Sequence, residues 1–405
     1  MENKFYFRLL FFTILLLFLF FSACRWSNSN AIRGNGGEKI EYRIKVDKEG
    51  LEDVGRLLLS DMVEEYMLIF LETTPACLIG SVNKIYVTDS LIYVMDNEFM
   101  HSIFVFDLSG KFHFKVSAAG RGRFEYSFMD DFVLDEERKE ILILDSQLKR
   151  LLVFDSVNGK PIRTHPLTFF ADKFERLNGD TLVFLGSAME DRLLLWDIGK
   201  GKLLNSYFAY DMKQSVSALK PFHRYDERVF YTRNLIDTIL EVSGTQIHSS
   251  RVIDYGEYRV NDLVLREGQF GVLSAPGNFM ANTRLYQEND DFIYFVFDYE
   301  AMSDEGPYYV LYSKLSGNIK YYTNQTLVDD ITFYPYSPQL LTTSTDGRFV
   351  FPLAAVYVKE ATDLLLKTDD DGGYGIGNRK RFLDSMRGIK ESDNPIVALY
   401  SFKAF

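Results

Sequence analysis

Apolar residues along this chain come in short runs closed off by Asp, Gly and Asn, and no long 3.6-residue period appears until near the C-terminus. Three of the runs are close copies. Ser102–Lys111 reads S-I-F-V-F-D-L-S-G-K, Arg150–Lys160 reads R-L-L-V-F-D-S-V-N-G-K, and Arg192–Lys202 reads R-L-L-L-W-D-I-G-K-G-K. Each is an apolar strand ending in Asp, followed by a turn that closes on Gly-Lys. The Asp carboxylate accepts backbone N–H bonds in such a turn, and the Gly supplies a positive φ. Asp107, Asp155 and Asp197 lie 48 and 42 residues apart, and weaker copies surround Glu241, Tyr312 and Tyr400, making six marks.

Further strands accompany each mark. Lys84–Thr88 and Leu91–Asp96 pair across Asp89-Ser90, while Asp131–Asp135 and Glu140–Asp145 flank the charged turn Glu136–Lys139. A fourth strand follows each Gly-Lys, as in Lys111–Val116 and Pro161–Thr164. Four strands in every 40–50 residues or so predict an all-β fold, a six-bladed β-propeller with four-stranded antiparallel blades. The sixth unit ends on its third strand, Ile396–Phe402, so its fourth strand has to come from elsewhere. Glu65–Glu72 (E-Y-M-L-I-F-L-E) stands alone before the first blade and is expected to close the ring by N-to-C strand pairing. Two segments interrupt the last blade: Ala361–Gly377, which carries Asp369-Asp370-Asp371-Gly372-Gly373, and Arg379–Lys390, which reads as a short amphipathic helix.

Composition agrees with this picture and narrows it. The 405 residues are 47% hydrophobic and 25% charged, which excludes a disordered chain, and 35 Phe with 25 Tyr favour strands. A net charge of −12 repels phosphate backbones, so nucleic acid is excluded as a general partner. Leu9–Phe21 is apolar apart from Thr13, follows Lys4 and Arg8, and is too short to span a bilayer core of about 30 Å. It is the h-region of an export signal. The Phe21-Ser22-Ala23-Cys24 that follows resembles a bacterial lipobox, with Phe21 where Leu is commonest. The expected organisation is a lipoprotein signal peptide over residues 1–23, a flexible tether over 24–39 starting at lipidated Cys24, and the propeller over 40–405. No Asp follows Cys24, which favours the outer membrane, facing the periplasm. Cys77 is then the remaining thiol, beside Leu78 and Ile79, and reads as a small buried hydrophobe.

With blades and lipobox together, the chain resembles the six-bladed β-propeller lipoproteins of Gram-negative bacteria, related to the NHL and TolB-type propellers. The matching stretches are Leu71–Lys84 (L-E-T-T-P-A-C-L-I-G-S-V-N-K), Ile92–Lys111 and the ending Asp393–Lys403 (D-N-P-I-V-A-L-Y-S-F-K). Where that family carries G-x-G-P-G-E-aromatic between its first and second blades, this chain has Gly120-Arg121-Gly122-Arg123-Phe124-Glu125-Tyr126. The resemblance implies fold and compartment much more than chemistry.

Candidate chemistry is sparse. His101, His113, His165, His223 and His248 form no i, i+4 or H-x-H pair, so spacing provides no zinc site, although some NHL-type propellers are metal-dependent lyases using one His from each of several blades. Asp369–Gly373 lacks the D-x-D-x-D-G spacing of a calcium loop. No phosphate loop, nucleophile elbow or cofactor motif is present, and no catalytic residue is assigned. Arg121, Arg123, Glu125 and Tyr126 form the ligand-binding candidate. Two guanidiniums on an inter-blade loop could grip a carboxylate, phosphate or acidic sugar, with Tyr126 stacking; alternatively the loop braces adjoining blades. Asp96 and Asp145, one blade apart, read as turn caps, and Phe104, Phe106, Phe154 and Trp196 as packing between blades. Tyr308-Tyr309 and Tyr321-Tyr322 are a candidate partner surface. Two functional readings remain. One is a membrane-anchored, non-catalytic binding or scaffold propeller for a protein, peptide or small ligand. The other is a lyase or hydrolase at the central channel, with or without a metal. His165 or His223 meeting a second His or a carboxylate in the channel would favour the enzyme.

Overall fold

The structure, a computed structural model, describes residues 39–52, 54–187, 192–209, 220–260, 279–299, 306–335, 340–367 and 376–405. The chain opens with β1 (Tyr42–Lys45), α1 (Lys48–Glu52), β2 (Leu57–Leu58), α2 (Leu59–Met62) and β3 (Val63–Phe70). Blade I follows as β4 (Lys84–Val87), β5 (Leu91–Asp96), β6 (Ser102–Asp107) and β7 (Phe112–Val116). Blade II is β8 (Asp131–Asp135), β9 (Glu140–Asp145), β10 (Arg150–Asp155) and β11 (Pro161–Pro166). Blade III comprises β12 (Ala171–Arg176), β13 (Thr181–Gly186), β14 (Leu193–Asp197) and β15 (Lys202–Tyr207). Blade IV has β16 (Phe222–Tyr225), β17 (Arg228–Tyr231), β18 (Thr238–Ser243) and β19 (Gln246–Asp254), and blade V has β20 (Met280–Glu288), β21 (Phe292–Tyr299), β22 (Tyr308–Ser313) and β23 (Ile319–Tyr322). After β24 (Leu327–Val328), which pairs with β2, blade VI runs β25 (Thr342–Thr343), β26 (Phe349–Leu353), α3 (Ala355–Lys367), α4 (Ile376–Ser385) and β27 (Ile396–Phe402).

This is a six-bladed β-propeller. The sixth sheet has the order β25-β26-β27-β3, with Ile396 opposite Phe70 and Tyr400 opposite Tyr66, so the strand expected to close the ring does so. Asn394, buried just ahead of β27, pins the chain that leaves β3. Its Oδ1 accepts from Ile79 N at 2.8 Å, and its Nδ2 donates to the carbonyls of Glu72 (2.7 Å) and Cys77 (2.8 Å). Glu72 N donates in turn to Gly110 O at 2.8 Å, tying the closure to blade I. Gly110 has φ 84°, and a Cβ there would stand 1.9 Å from the Phe70 carbonyl oxygen, so only glycine fits this approach.

The near-continuous hydrophobic strands follow from a core cut into six inter-blade layers. Ile92 and Val94 of β5 pack toward blade VI, whereas Tyr93 and Met95 pack toward blade II. Ile141 and Ile143 of β9 face blade I, and Leu142 and Leu144 face blade III. Alternation by two therefore sends successive side chains into two different cores, and both faces of the strand are apolar. Phe104, Phe106, Phe154 and Trp196 lie in these layers. The repeated turns behave as their residues require. Asp107 Oδ1 accepts Ser109 N at 2.8 Å, Asp155 Oδ1 accepts Val157 N at 2.8 Å, and Asp197 Oδ1 accepts Lys200 N at 2.8 Å. Asp96 and Asp145 are fully buried caps that also clasp the incoming inter-blade loops, Asp96 taking Gly80 N at 2.7 Å and Asp145 taking Ser127 N at 2.8 Å.

Some features depart from expectation. Tyr308, Tyr309 and Tyr322 are buried, and Tyr321 Oη accepts Asp47 N at 3.1 Å, so the paired tyrosines are packing residues and not an exposed partner surface. The helical insertion holds two helices, and α3 begins well before the segment flagged in the sequence. Blade IV gains a fifth strand, because β1 runs parallel to β19 with Tyr42 opposite Arg251. Fully buried Arg251 fastens that addition through Glu41 at 2.7 Å and Glu288 at 3.0 Å. Cys77 is buried, its Sγ donating to Glu72 O at 3.0 Å. Among the described residues, no helix is long and apolar enough to cross a membrane.

The clasp makes a direct prediction. Asn394→Ala leaves the Ile79 N–H and the Cys77 carbonyl without a partner in a buried site and the Glu72 carbonyl with only the Cys77 thiol, and should lower unfolding stability by roughly 3 kcal/mol. Urea titration measures this, and a midpoint equal to that of the wild type would show that strand pairing alone closes the ring.

Candidate functional site: the central channel

The innermost strands β4, β8, β12, β16, β20 and β25 surround a central cavity of about 810 Å³, to which every blade contributes. Strand register orders its wall. Lys84 lies opposite Met95, Asp131 opposite Leu144 and Lys173 opposite Leu185, all far from the hairpin turns that end these inner strands. Lys220 stands two residues ahead of β16, before Pro221, and sits at the same end. The hairpin turns at the opposite end carry Glu136, Asp226, Glu227, Asp290 and Asp346. The channel is therefore cationic where the inner strands begin and acidic where they turn.

At the cationic end Lys84 Nζ pairs with Asp131 Oδ1 at 2.9 Å, and Asp131 Oδ2 accepts Phe174 N at 3.0 Å. Lys173 Nζ donates to Asp130 O at 2.9 Å, and Lys220 Nζ donates to Leu341 O at 2.7 Å. Burial, then the charges of Lys84 and Lys173, hold the Lys220 ammonium well below the usual lysine range. Deeper in, Tyr86 Oη donates to Glu175 Oε2 at 3.2 Å. Burial pushes the Glu175 carboxyl up, although Lys84 and Arg224 pull it down. Burial likewise lifts Asp130 to about 6, against a bond from Ser146 N.

His223 lines the same wall. Its Nε2 accepts Glu288 N at 2.9 Å, and burial lowers its pKa to about 4, which keeps the ring neutral. The Glu288 carboxylate is directed elsewhere, to Arg251 and to Lys314 at 3.3 Å. His165 stands on the outermost strand of blade II beside Arg163 Nε at 3.0 Å, outside the channel. Among the described residues, no group of three or more His, Cys, Asp or Glu is gathered as a metal site. Asp369–Asp371 and Cys24 lie outside the described residues.

The Arg121 loop is pulled in two directions. Tyr126 is fully buried, its Oη donating to His101 O at 2.6 Å and accepting Ala118 N at 3.0 Å, so it cannot stack on a ligand. Glu125 Oε2 accepts Gly122 N at 2.8 Å, and its carbonyl accepts from Arg150, so these two residues brace the loop. Arg121 and Arg123 are exposed, with Arg123 over the Phe124 ring, and neither lines the channel. Because the loop leads from β7 into β8, it lies at the face where the inner strands begin. The lysines were not singled out in the sequence. Their signal is positional: Lys84, Asp131 and Lys173 each stand four residues ahead of the first hairpin of their blade, at Thr88, Asp135 and Leu177.

His223 sets a pH dependence. A folded-state value of about 4 against about 6.5 for a free imidazole means that protonation favours unfolding. Its contribution is present above pH 6.5 and lost as pH falls toward 4. Denaturant curves of wild type and His223→Gln should diverge across that window by up to roughly 3 kcal/mol, with the wild type falling more steeply. Parallel curves would remove this role.

A family described as a domain of unknown function, DUF4934, matches residues 41–401. No curated protein matches. Among solved structures, a protein of Bacteroides fragilis described as exported is similar at TM-score 0.71 and 16% identity, over 89% of this chain and 99% of that one. A DUF4221 member from Bacteroides vulgatus is similar at TM-score 0.50 and 9% identity, over 85% and 98%. At such identities the likeness extends to the fold alone. With a match running through all six blades, the chain belongs to the DUF4934 family.

Proposed function

We propose that this protein is a non-catalytic binding module of the bacterial cell envelope, akin to the NHL and TolB-type lipoprotein propellers. It is tethered by lipid on Cys24 to the outer membrane, faces the periplasm and seats its ligand in the channel. The observation that carries the binding role is the cavity of about 810 Å³ walled by polar side chains from all six blades, a size typical of small-molecule sites. Those side chains are held by the scaffold: Lys173 and Lys220 by carbonyls, Lys84 by Asp131, His223 by Glu288 N. Prearranged groups reduce the ordering cost of binding. The export signal and lipobox support the envelope location, and the B. fragilis relative described as exported is in keeping with it.

A second reading, a lyase or hydrolase at the channel, draws on the Tyr86–Glu175 pair and on the depressed ammonium of Lys220, both of which are forms of acid–base tuning. The two separate on the fate of the ligand. Full-length protein extracted from membranes under native conditions should carry a small molecule of defined mass that is recovered unchanged after prolonged incubation. Conversion of that molecule to a new mass would replace the binding reading with the enzymatic one. Cys24→Ser should lose the acyl mass and move the protein to the soluble fraction, and retention in membranes would remove the lipid tether.

A further inference from the structure

The cationic end of the channel contains more positive charge than its neighbours neutralise. Lys84, Lys173 and Lys220 come from blades I, III and IV, yet among the described residues only one ion pair joins an acid to any of them, Lys84 to Asp131 at 2.9 Å. Asp131 is itself shared, with Oδ2 taking Phe174 N at 3.0 Å and Oδ1 taking Phe132 N at 2.9 Å. Lys173 and Lys220 each donate to a single backbone carbonyl, which satisfies one of three N–H groups and cancels no charge. Of the acids near the three lysines, Asp131 and Glu175 line the channel, whereas Asp130 and exposed Asp172 do not, so lysines outnumber acids on this part of the wall. All three line one cavity, and Lys220, whose ammonium burial already disfavours, also feels the charges of Lys84 and Lys173. Like charges gathered at a concave, partly desolvated wall repel, and an anion placed among them relieves that cost.

At the opposite end the hairpin-turn acids Glu136, Asp226, Glu227 and Asp290 outnumber the lining arginines Arg176, Arg224 and Arg348, the last of which is paired with Asp346 at 2.6 Å. A channel charged in this way directs an anion to the lysine end and repels it from the other mouth. Between the two lie neutral donors and acceptors, among them Tyr86, Gln287 and Thr342. The volume of about 810 Å³ exceeds what a bare inorganic ion needs, so the oxyanion is one part of a larger polar molecule.

We propose that the end of the channel where the inner strands begin is a binding site for the carboxylate or phosphate group of a small polar molecule, gripped by Lys84, Lys173 and Lys220. This rests on the binding reading above and names its ligand class.

The test is isothermal titration of detergent-solubilised full-length protein at low salt with two probes, inorganic phosphate and glucuronate. Saturable binding of either probe is expected; whichever binds more tightly identifies the group as phosphate or carboxylate. Lys220→Met and Lys173→Met should each weaken it by about tenfold or more, whereas Lys202→Met on an outer strand leaves it within about twofold. A second measurement needs no variant: the bound probe should slow reductive methylation of Lys220 in the wild-type protein, read by peptide mass spectrometry. Failure of both probes to bind would overturn the inference, as would binding that survives both lysine substitutions, or binding lost only in Arg121→Ala with Arg123→Ala. If an unchanged neutral molecule co-purifies while both probes fail, the anion assignment falls and the binding module stands. If a probe binds through the lysines and the native ligand is converted, the anion site stands and the non-catalytic reading falls.

Discussion

Ring closure is the constraint on which everything else depends. An open stack of six blades would expose the edge of β27 and one face of blade I, and the channel would have no sixth wall. Pairing of β27 with β3 removes the edge, and the same pairing brings Ile69, Val397 and Leu399 into the layer that packs against Ile92 and Val94 of blade I. Asn394 makes the closure specific. Three of its hydrogen bonds reach the segment Glu72–Ile79, so the last strand and the loop entering the first blade are held by one buried amide. Buried polar groups that are fully satisfied set register in a way that apolar contacts do not.

The closed ring also explains where polar residues are tolerated. Middle strands of each blade have cores on both faces and admit few polar side chains away from their ends. Inner strands face the channel, where Lys84, Tyr86, Glu175 and His223 find partners on other blades or on backbone. Polar groups thus concentrate on the axis, which is also where the blades converge. The charge asymmetry of the channel follows from direction. All inner strands run the same way along the axis, so residues near their starts gather at one mouth and turn residues gather at the other.

Arg251 is a fully buried charge. A fully buried guanidinium needs compensation from every side, and it receives Glu41, Glu288 and Ser250 Oγ, with the rings of Phe230 and Tyr42 stacked nearby. Through Glu41 and β1 the segment ahead of the propeller becomes part of blade IV. Glu288 leads from Arg251 to His223 on the channel wall, because the residue that accepts the guanidinium also donates its N–H to the imidazole.

Much of this was legible in the chain itself. The Asp-to-Gly-Lys repeat, the blade count, the Tyr400 strand and the closure by Glu65–Glu72 are local patterns: strand alternation and turn chemistry depend on residues a few positions apart, and six such units leave one missing strand to find. The capping roles of Asp96 and Asp145 were readable for the same reason. What the sequence could not decide was which side chains meet across blades. Tyr126 looked like a ligand platform until the fold buried it against His101, and the tyrosines of blade V looked exposed until β1 and α1 covered Tyr308 and Tyr321 and blade VI covered Tyr309 and Tyr322. Lys84 and Lys173 share a position relative to the first hairpin of their blade, but Lys220 does not, and nothing local says that the three meet. They become one site only when six separate strands converge on an axis, because charge acts through distance in space and not through distance along the chain.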